Sequence, residues 1–366
     1  MQTAAWIPAD QYSDVVGRLP AGLDLDLLAL KTGAIARRRE LVDGASLLRL
    51  ALARGPGGLS LRETAAWAST IGLAQISNPG VKYRLDQAGG FLEALIGAML
   101  AAKVSSAIPL WPGRVIRLAD GTSVSKPGSS GTDWRVHGVF DLGSGGFSNL
   151  EVTDMHGAES LCRGAAVAGE IRIGDRYFAR AATLQRFRLE SGDAADFIVR
   201  LRWNAFRLTT PDGKPFDLIK HLAAVSGEPG PCQLDVQAEV GRCQPPLKLR
   251  LIMLRKSPEA TAATAKALKR EASRKQKRLD PRSLTAAAFI VLATSLPAEG
   301  YPAEQVLAAY RLRWQIELAF KRLKSLLHID RLPTHTARGS RSWLYAHLVL
   351  ALISDHVSQE VLESSP

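Results

Sequence analysis

Apolar positions along the chain recur first at helical spacing, then alternate, then return to helical spacing. Residues 34–54 (AIARRRELVDGASLLRLALAR) supply one apolar stripe and run into Gly55-Pro56-Gly57-Gly58, a strong stop, so the spacing predicts a helix over this stretch. Ser60-Leu61-Arg62-Glu63 fits a capping box, in which the serine and glutamate side chains each satisfy a free amide at a helix start. That helix breaks at Gly72, and Ser77-Asn78-Pro79 is placed to cap the next one. Two short helices about a glycine-containing turn are the pattern of a helix-turn-helix, with Lys82, Tyr83 and Arg84 on its second helix. An ordinary helical bundle with Tyr83 partly in the core fits the same residues.

From residue 113 the period becomes two. Residues 114–120, 134–141 and 146–154 read as three strands joined by Gly/Ser-rich connections, a meander. Residues 157–168 read as helical, 170–175 as a short strand, 178–187 as helical and 196–203 as a further strand. A Pro/Gly-punctuated region over 205–258 alternates again, and an apolar strand at 288–294 precedes long helices from about 303 to the end. The class expected is α/β, a mixed sheet with flanking helices interrupted by a mostly β insertion and preceded by an all-α N-terminal region.

Charge sharpens this picture. The 47 Lys+Arg exceed the 35 Asp+Glu by twelve, and residues 266–282 and 310–341 each carry a net +6, so two blocks hold the whole excess. Concentrated charge points to a polyanion, nucleic acid or an anionic membrane surface, rather than to a solubility surface. A composition of 46% apolar and 22% charged residues excludes a disordered chain. The first residues lack a basic region followed by an apolar core, and the apolar run 343–353 is too short for a bilayer and contains His347. Three cysteines without close pairing (Cys162, Cys232, Cys243) fit a reducing cytoplasm better than a zinc site.

Tyr310, Arg313, Glu317 and Lys324 are spaced three, four and seven apart, which on one continuous helix of about 100° per residue puts all four on a narrow face bordering an apolar stripe. Taken alone, that row reads as a solvated face with helical ion pairs, since Glu317 has Arg313 at i−4 and Lys321 at i+4. Asp120 and Asp175 each end an alternating strand, where a carboxylate is costly unless it is exposed, paired or metal-bound. Three such acids could hold the metal pair that serves phosphodiester transfer.

These residues resemble the DDE transposases of insertion-sequence family four, whose signature is Tyr, two residues, Arg, three residues, Glu, six residues, Lys. Tyr310, Arg313, Glu317 and Lys324 match every fixed position. Asp120 in Leu-Ala-Asp-Gly-Thr and Asp175 in Gly-Asp-Arg-Tyr-Phe resemble the two upstream acids. The resemblance covers about residues 110–330. It implies an RNase H-like core in two parts, 109–204 and 285–330, interrupted by a β-rich insertion at 205–284. A helical domain at 1–108 would bind element ends, and a helical region at 331–366 would close the chain. It further implies Asp120, Asp175 and Glu317 as catalytic residues holding two Mg²⁺, with Mn²⁺ as a substitute. Tyr310, Arg313, Lys324 and Lys321 would bind DNA near the scissile bond, with Lys82 and Arg84 on the helix-turn-helix and Arg274 and Lys275 in the basic segment as further contacts. Trp203 and Phe289 are candidates for stacking on an extruded base, with core packing the favoured role for both. The partners implied are double-stranded DNA, both terminal inverted repeats and target, and a second copy of the chain in a synaptic homodimer. No membrane partner is implied, and the location expected is the cytoplasm at the nucleoid. A catalytically silent DNA-binding regulator and an RNase H-like nuclease without strand transfer are the competing readings. The basic segment 266–282 either tracks a DNA backbone or is a solvated linker.

Overall fold

A computed structural model describes residues 9–364 except 38, 103–109, 228–229 and 242–243. The chain opens with helices α1 (Ala9–Gly17), α2 (Leu25–Lys31), α3 (Gly44–Arg54), α4 (Leu61–Thr70), α5 (Asn78–Gln87) and α6 (Gly89–Ala101). Strands β1 (Val115–Val124), β2 (Trp134–Asp141), β3 (Gly146–Asp154) and β4 (Glu170–Gly174) follow, then α7 (Ala181–Glu190) and β5 (Asp196–Arg200). Next come β6 (Leu208–Thr209), β7 (Pro215–Phe216), α8 (Leu218–Ala224), β8 (Cys232–Ala238) and β9 (Leu247–Arg255). The last elements are α9 (Pro258–Arg274), α10 (Pro281–Ala287), β10 (Phe289–Thr294), α11 (Ala303–Arg311), α12 (Trp314–Leu327) and α13 (Ala337–Ser364). The class is mixed α/β, with a large mixed sheet and flanking helices.

The residues form two compact units, one of 1–105, 121–157 and 317–366, the other of 106–120 and 158–316. In the first, α13 packs on α3, α5 and α6, burying Leu47, Leu48, Leu92 and Leu95 against Leu344, Leu348 and Val349. The close approach needs small residues: a Cβ on Gly55 would come within 3.0 Å of the Ala346 Cβ. The β2–β3 hairpin of this unit is antiparallel, and Phe320 of α12 packs its ring on Phe147 at a 5.6 Å centroid distance. Gly138 of β2 leaves the space, since a Cβ there would lie 2.7 Å from the Phe147 ring and 2.9 Å from that of Phe320.

In the second unit the strand order is β1-β4-β5-β10-β9-β8-β6-β7. The pairs β1–β4 and β4–β5 are parallel, and the remaining neighbours are antiparallel. One core, including Phe178, Leu184, Phe187, Phe197, Val199, Leu251 and Met253, lies on one face of this sheet. The β1–β4 register is pinned by buried charge. Glu170, wholly buried, takes Arg172 at 2.5 Å and Arg117 at 3.1 Å.

Local chemistry explains where sequence and structure part. The helix expected over 34–54 begins only at Gly44, because the Asp43 carboxylate accepts the Ser46 amide at 2.6 Å and caps it there. Residues 157–168 form turns instead of a helix: the Arg172 guanidinium takes the carbonyls of Leu161, Arg163, Gly164 and Ala165, oxygens a helix would use internally. The capping box at Ser60 and Glu63 forms with both of its bonds, 2.7 and 3.2 Å, and Ser77 caps α5. The basic segment is helical over most of its length, as α9 buries none of its seventeen residues. No helix among the described residues is long and apolar enough to cross a membrane.

Candidate active site

Register builds the site. In β1–β4 the partners run Ile116↔Ile171 and Leu118↔Ile173, ending at Ala119↔Gly174, so Asp120 and Asp175 are the residues that follow the last paired position on the two strands. In β4–β5 the partners run Ile173↔Ile198 and Gly174↔Val199, so Arg200 likewise follows the last paired position, and both Arg200 and Asp175 act electrostatically on the Tyr310 hydroxyl. In-register partners of parallel strands face the same side, about 4.8 Å apart. Leu118, Ile173 and Ile198 therefore form an apolar row on one face, and the polar residues Asp120, Asp175 and Arg200 come two positions later on their three chain segments. Asp120 is not at a strand end, as β1 continues to Val124; it stands where β4 stops and the parallel pairing ends.

Tyr310 and Arg313 come from the end of α11 and the turn after it. The Arg313 guanidinium lies 4.0 Å from the Asp120 carboxylate, both side chains about one-fifth exposed, and 5.9 Å from the Tyr310 ring centroid. Burial pushes the Tyr310 hydroxyl above its usual pKa, Arg313 and Arg200 pull it back, and Asp175 raises it. The phenol therefore stays protonated and able to donate near neutral pH. Asp175 is oriented by its own loop, its Oδ1 accepting the Tyr177 amide at 2.7 Å.

The row Tyr310, Arg313, Glu317, Lys324 is not one continuous helix face. The backbone tightens at Leu312–Arg313, where Leu312 donates to Ala309, Arg313 to Tyr310 and Gln315 to Leu312, all i→i−3 bonds. Such turns advance more per residue than an α-helix, so the four residues belong to two helices joined by a tight turn. Glu317, in the other unit, lies in the first turn of α12 and is exposed; Lys321 is exposed and Lys324 half-buried on the same helix.

The remaining candidates lie on other elements. Lys82 on α5 is exposed and pairs with Asp86 at 2.6 Å. Arg84 does not face solvent: it is 7% exposed and donates to the Arg37 carbonyl at 3.2 Å, so packing absorbs this candidate DNA contact. Arg274 ends α9 exposed, and Lys275 beyond it pairs with Glu271 at 2.5 Å. Phe289 is core, while Trp203 is half-buried with the Arg282 guanidinium over its ring at 4.4 Å. Other strand-flanking acids serve turns: Asp141 accepts the Gly143 and Ser144 amides, Asp154 that of His156, and Asp133 that of Lys126.

The sequence reading passed over Arg200, whose signal was its position in the 196–203 alternation. A Mg²⁺-like cation takes one or two carboxylates and fills its shell with water and phosphate oxygens, and the Asp120–Asp175 pair offers that donor set. Among the described residues no group of three or more His, Cys, Asp or Glu side chains is arranged to hold a metal. Cys232 is half-buried with its thiol 3.8 Å from the Met253 carbonyl, and Cys243 lies outside the described residues.

Two carboxylates just past the last pair of a parallel ladder, with guanidinium and phenol donors nearby, are side chains of the kind that phosphoryl chemistry uses. Residues 111–353 match the family described as Transposase DDE domain. The chain is 38% identical over 359 residues to the InsL protein of insertion sequence element IS186A from Escherichia coli K12, covering 98% of this chain and 96% of that one. The same identity, over 360 residues and with the same coverage, holds for the transposase of insertion sequence element IS421 from Escherichia coli. Among solved structures, a piggyBac transposase synaptic complex with hairpin DNA matches at TM-score 0.46 and 10% identity, covering 96% of this chain and 74% of that one. The chain belongs to the DDE transposase family: it is an insertion-sequence transposase, an enzyme that cleaves DNA and transfers its strands.

Proposed function

We propose that the chain performs cut-and-paste transposition, with Asp120, Asp175 and Glu317 as its catalytic acids and an RNase H-like core as its scaffold. The observation that supports this reading is the parallel β1–β4 pairing, which ends one residue before both Asp120 and Asp175, with Arg313 4.0 Å from Asp120. Glu317 completes the set by the family spacing, four residues beyond Arg313 along the chain. Two Mg²⁺ ions, or Mn²⁺ in their place, would neutralise charge on the attacking and leaving oxygens when bound. Arg313 and Lys324 bind the phosphates beside the scissile bond, and the protonated Tyr310 hydroxyl donates to a phosphate oxygen. Water attacks the phosphodiester at each element end, breaking its P–O3′ bond to release the element's 3′-hydroxyl and leave a 5′-phosphate on the flank. That 3′-hydroxyl then attacks a target phosphodiester, losing its proton and displacing the target's own 3′-oxygen as a hydroxyl. Lys321, Lys82, Arg274 and Lys275 contribute backbone contacts, the helices of 1–108 read the terminal inverted repeats, and two copies of the chain pair in synapsis at the nucleoid.

The test is incubation of the purified protein and its Glu317→Gln variant with labelled DNA carrying the repeats that flank the gene, with and without Mg²⁺. The wild type should nick and join ends only with metal, and Glu317→Gln should bind but not cut. Cutting by Glu317→Gln would overturn the assignment of the third acid. Binding without cutting by the wild type would identify a DNA-binding regulator, and cutting without joining a nuclease.

A further inference from the structure

Outside the residues given roles above, one charged cluster stands directly beside the acid pair. Tyr177, two residues past Asp175, is 50% exposed. Its amide fixes the Asp175 carboxylate, so the position of this residue is tied to that of the acid. The Arg202 guanidinium, two residues past Arg200, lies over the Tyr177 ring at 4.4 Å, and that of Arg176 at 5.4 Å. Arg176 and Arg202 are both exposed, and among the described residues neither guanidinium has a hydrogen bond or ion pair. The nearby carboxylate that feels Arg176, Glu271, is held chiefly by Lys275 at 2.5 Å.

A guanidinium stacked on an aromatic face keeps its N–H edge free, and that planar fork matches two oxygens of a phosphate. Two like charges held on one ring repel each other, and the Glu271 carboxylate that offsets part of the Arg176 charge is itself engaged by Lys275. We infer that Arg176, Arg202 and Tyr177 form a phosphate clamp for the DNA strand, gripping a backbone phosphate next to the one at the acid pair. Tyr177 is the positioning residue, a pedestal for both guanidiniums, and the two arginines bind. The clamp reads no base, so its ligand is the phosphodiester backbone. This inference rests on the proposed site and adds residues that the Tyr-Arg-Glu-Lys signature does not contain.

The experiment measures binding of the full chain, without metal, to a labelled terminal-repeat duplex. The same duplex is also made with single neutral methylphosphonates at each of its outermost three phosphates in turn. For the wild type, one of these neutral positions should weaken binding roughly tenfold, as expected for loss of a charge-assisted pair. Arg176→Ala/Arg202→Ala should bind the unmodified duplex more weakly by a similar factor and be indifferent to that methylphosphonate. Tyr177→Ala should show a smaller loss that Tyr177→Phe restores, an outcome a purely structural hydroxyl would not give. Unchanged binding by the double variant, or a methylphosphonate penalty that persists in it, overturns the clamp. The three side chains are exposed, and matching thermal melts will show that the variants fold. Failure of the catalytic reading would show instead as a wild type that does not cut with Mg²⁺, and the binding comparison is decided either way.

Discussion

Replacing Arg172 by methionine tests whether buried charge sets the strand register that makes the site. Arg172 is 1% exposed and holds Glu170, itself wholly buried, at 2.5 Å while taking four carbonyls of residues 161–165. Methionine fills much of the same volume, so the change removes charge and donors with little cavity. Glu170 would keep Arg117 at 3.1 Å and the Val167 amide at 3.0 Å, and the carbonyls would lose their donor. Breaking a buried pair by deleting one partner costs about 3–5 kcal/mol, and each buried carbonyl left bare adds to that. For a unit of this size about 1 kcal/mol corresponds to some 2–4 °C, so the melting transition of the unit carrying β4 should fall by roughly 10 °C or more. Scanning calorimetry of wild type and variant at matched pH reads this directly. A Glu170→Gln/Arg172→Met double variant should recover part of the loss, because the buried carboxylate, left with Arg117, is gone. A melt for Arg172→Met within 2 °C of wild type would refute the reasoning.

Three other predictions address the first unit and the basic helix. Burial lowers the His347 pKa from 6.5 to about 4, opposed by its bond to the Trp343 carbonyl, with His328 and Arg54 lowering it further. Because the unfolded histidine binds its proton more readily, this group's stabilisation is complete above pH 6.5 and declines as pH falls toward 4, by at most about 3 kcal/mol. His347→Leu should flatten that slope in urea melts taken from pH 7 to 4.5, and an identical slope would exclude His347 as its source. Gly138→Ala forces a Cβ against two buried phenylalanine rings, so it should cost about 1–3 kcal/mol by denaturant titration, and a neutral result would mean that the rings have room to move. Replacing Lys266, Lys269, Arg270 and Arg274 by alanine should make the log–log salt dependence of DNA binding shallower by up to about 3.6, and an unchanged slope would remove α9 from the DNA.

Legibility in the sequence followed range. Signals contained within a few residues held: Ser60 with Glu63, Ser77 before Asn78-Pro79, and the alternation of 134–141 and 146–154, which are the bounds of β2 and β3. Signals that depend on distant partners failed. The helical spacing of 157–168 is real, yet Arg172, outside that stretch, captures the carbonyls the helix needs. Arg84 read as a surface base because charge implies exposure, but Arg37 across the fold supplies an acceptor that lets it bury. Asp120 and Asp175 were legible as separate acids. That both follow the same last pair of a parallel ladder depends on strands 55 residues apart in sequence, which no local pattern encodes. The helix wheel through Tyr310 and Glu317 assumed unbroken geometry, and the i→i−3 bonds at Leu312–Arg313 lie below the resolution of a periodicity argument.

Helix α9 has a consequence for the energetics of the whole chain. It buries none of its residues, so hydrophobic packing contributes little to it, and its order depends on the Ser257 cap, the proline at its start and a Glu271–Lys275 pair. Against these stand Lys266 facing Arg270, and Arg270 facing Arg274, like charges one turn apart that each cost a few tenths of a kcal/mol. Its helix content therefore rests on local bonds more than on buried packing, so a change in local potential acts on it directly. A polyanion that screens those repulsions would order it, so that winding of this helix and the arrival of its ligand become a single cooperative event, and amide exchange in α9 would report occupancy more sensitively than any contact in the core.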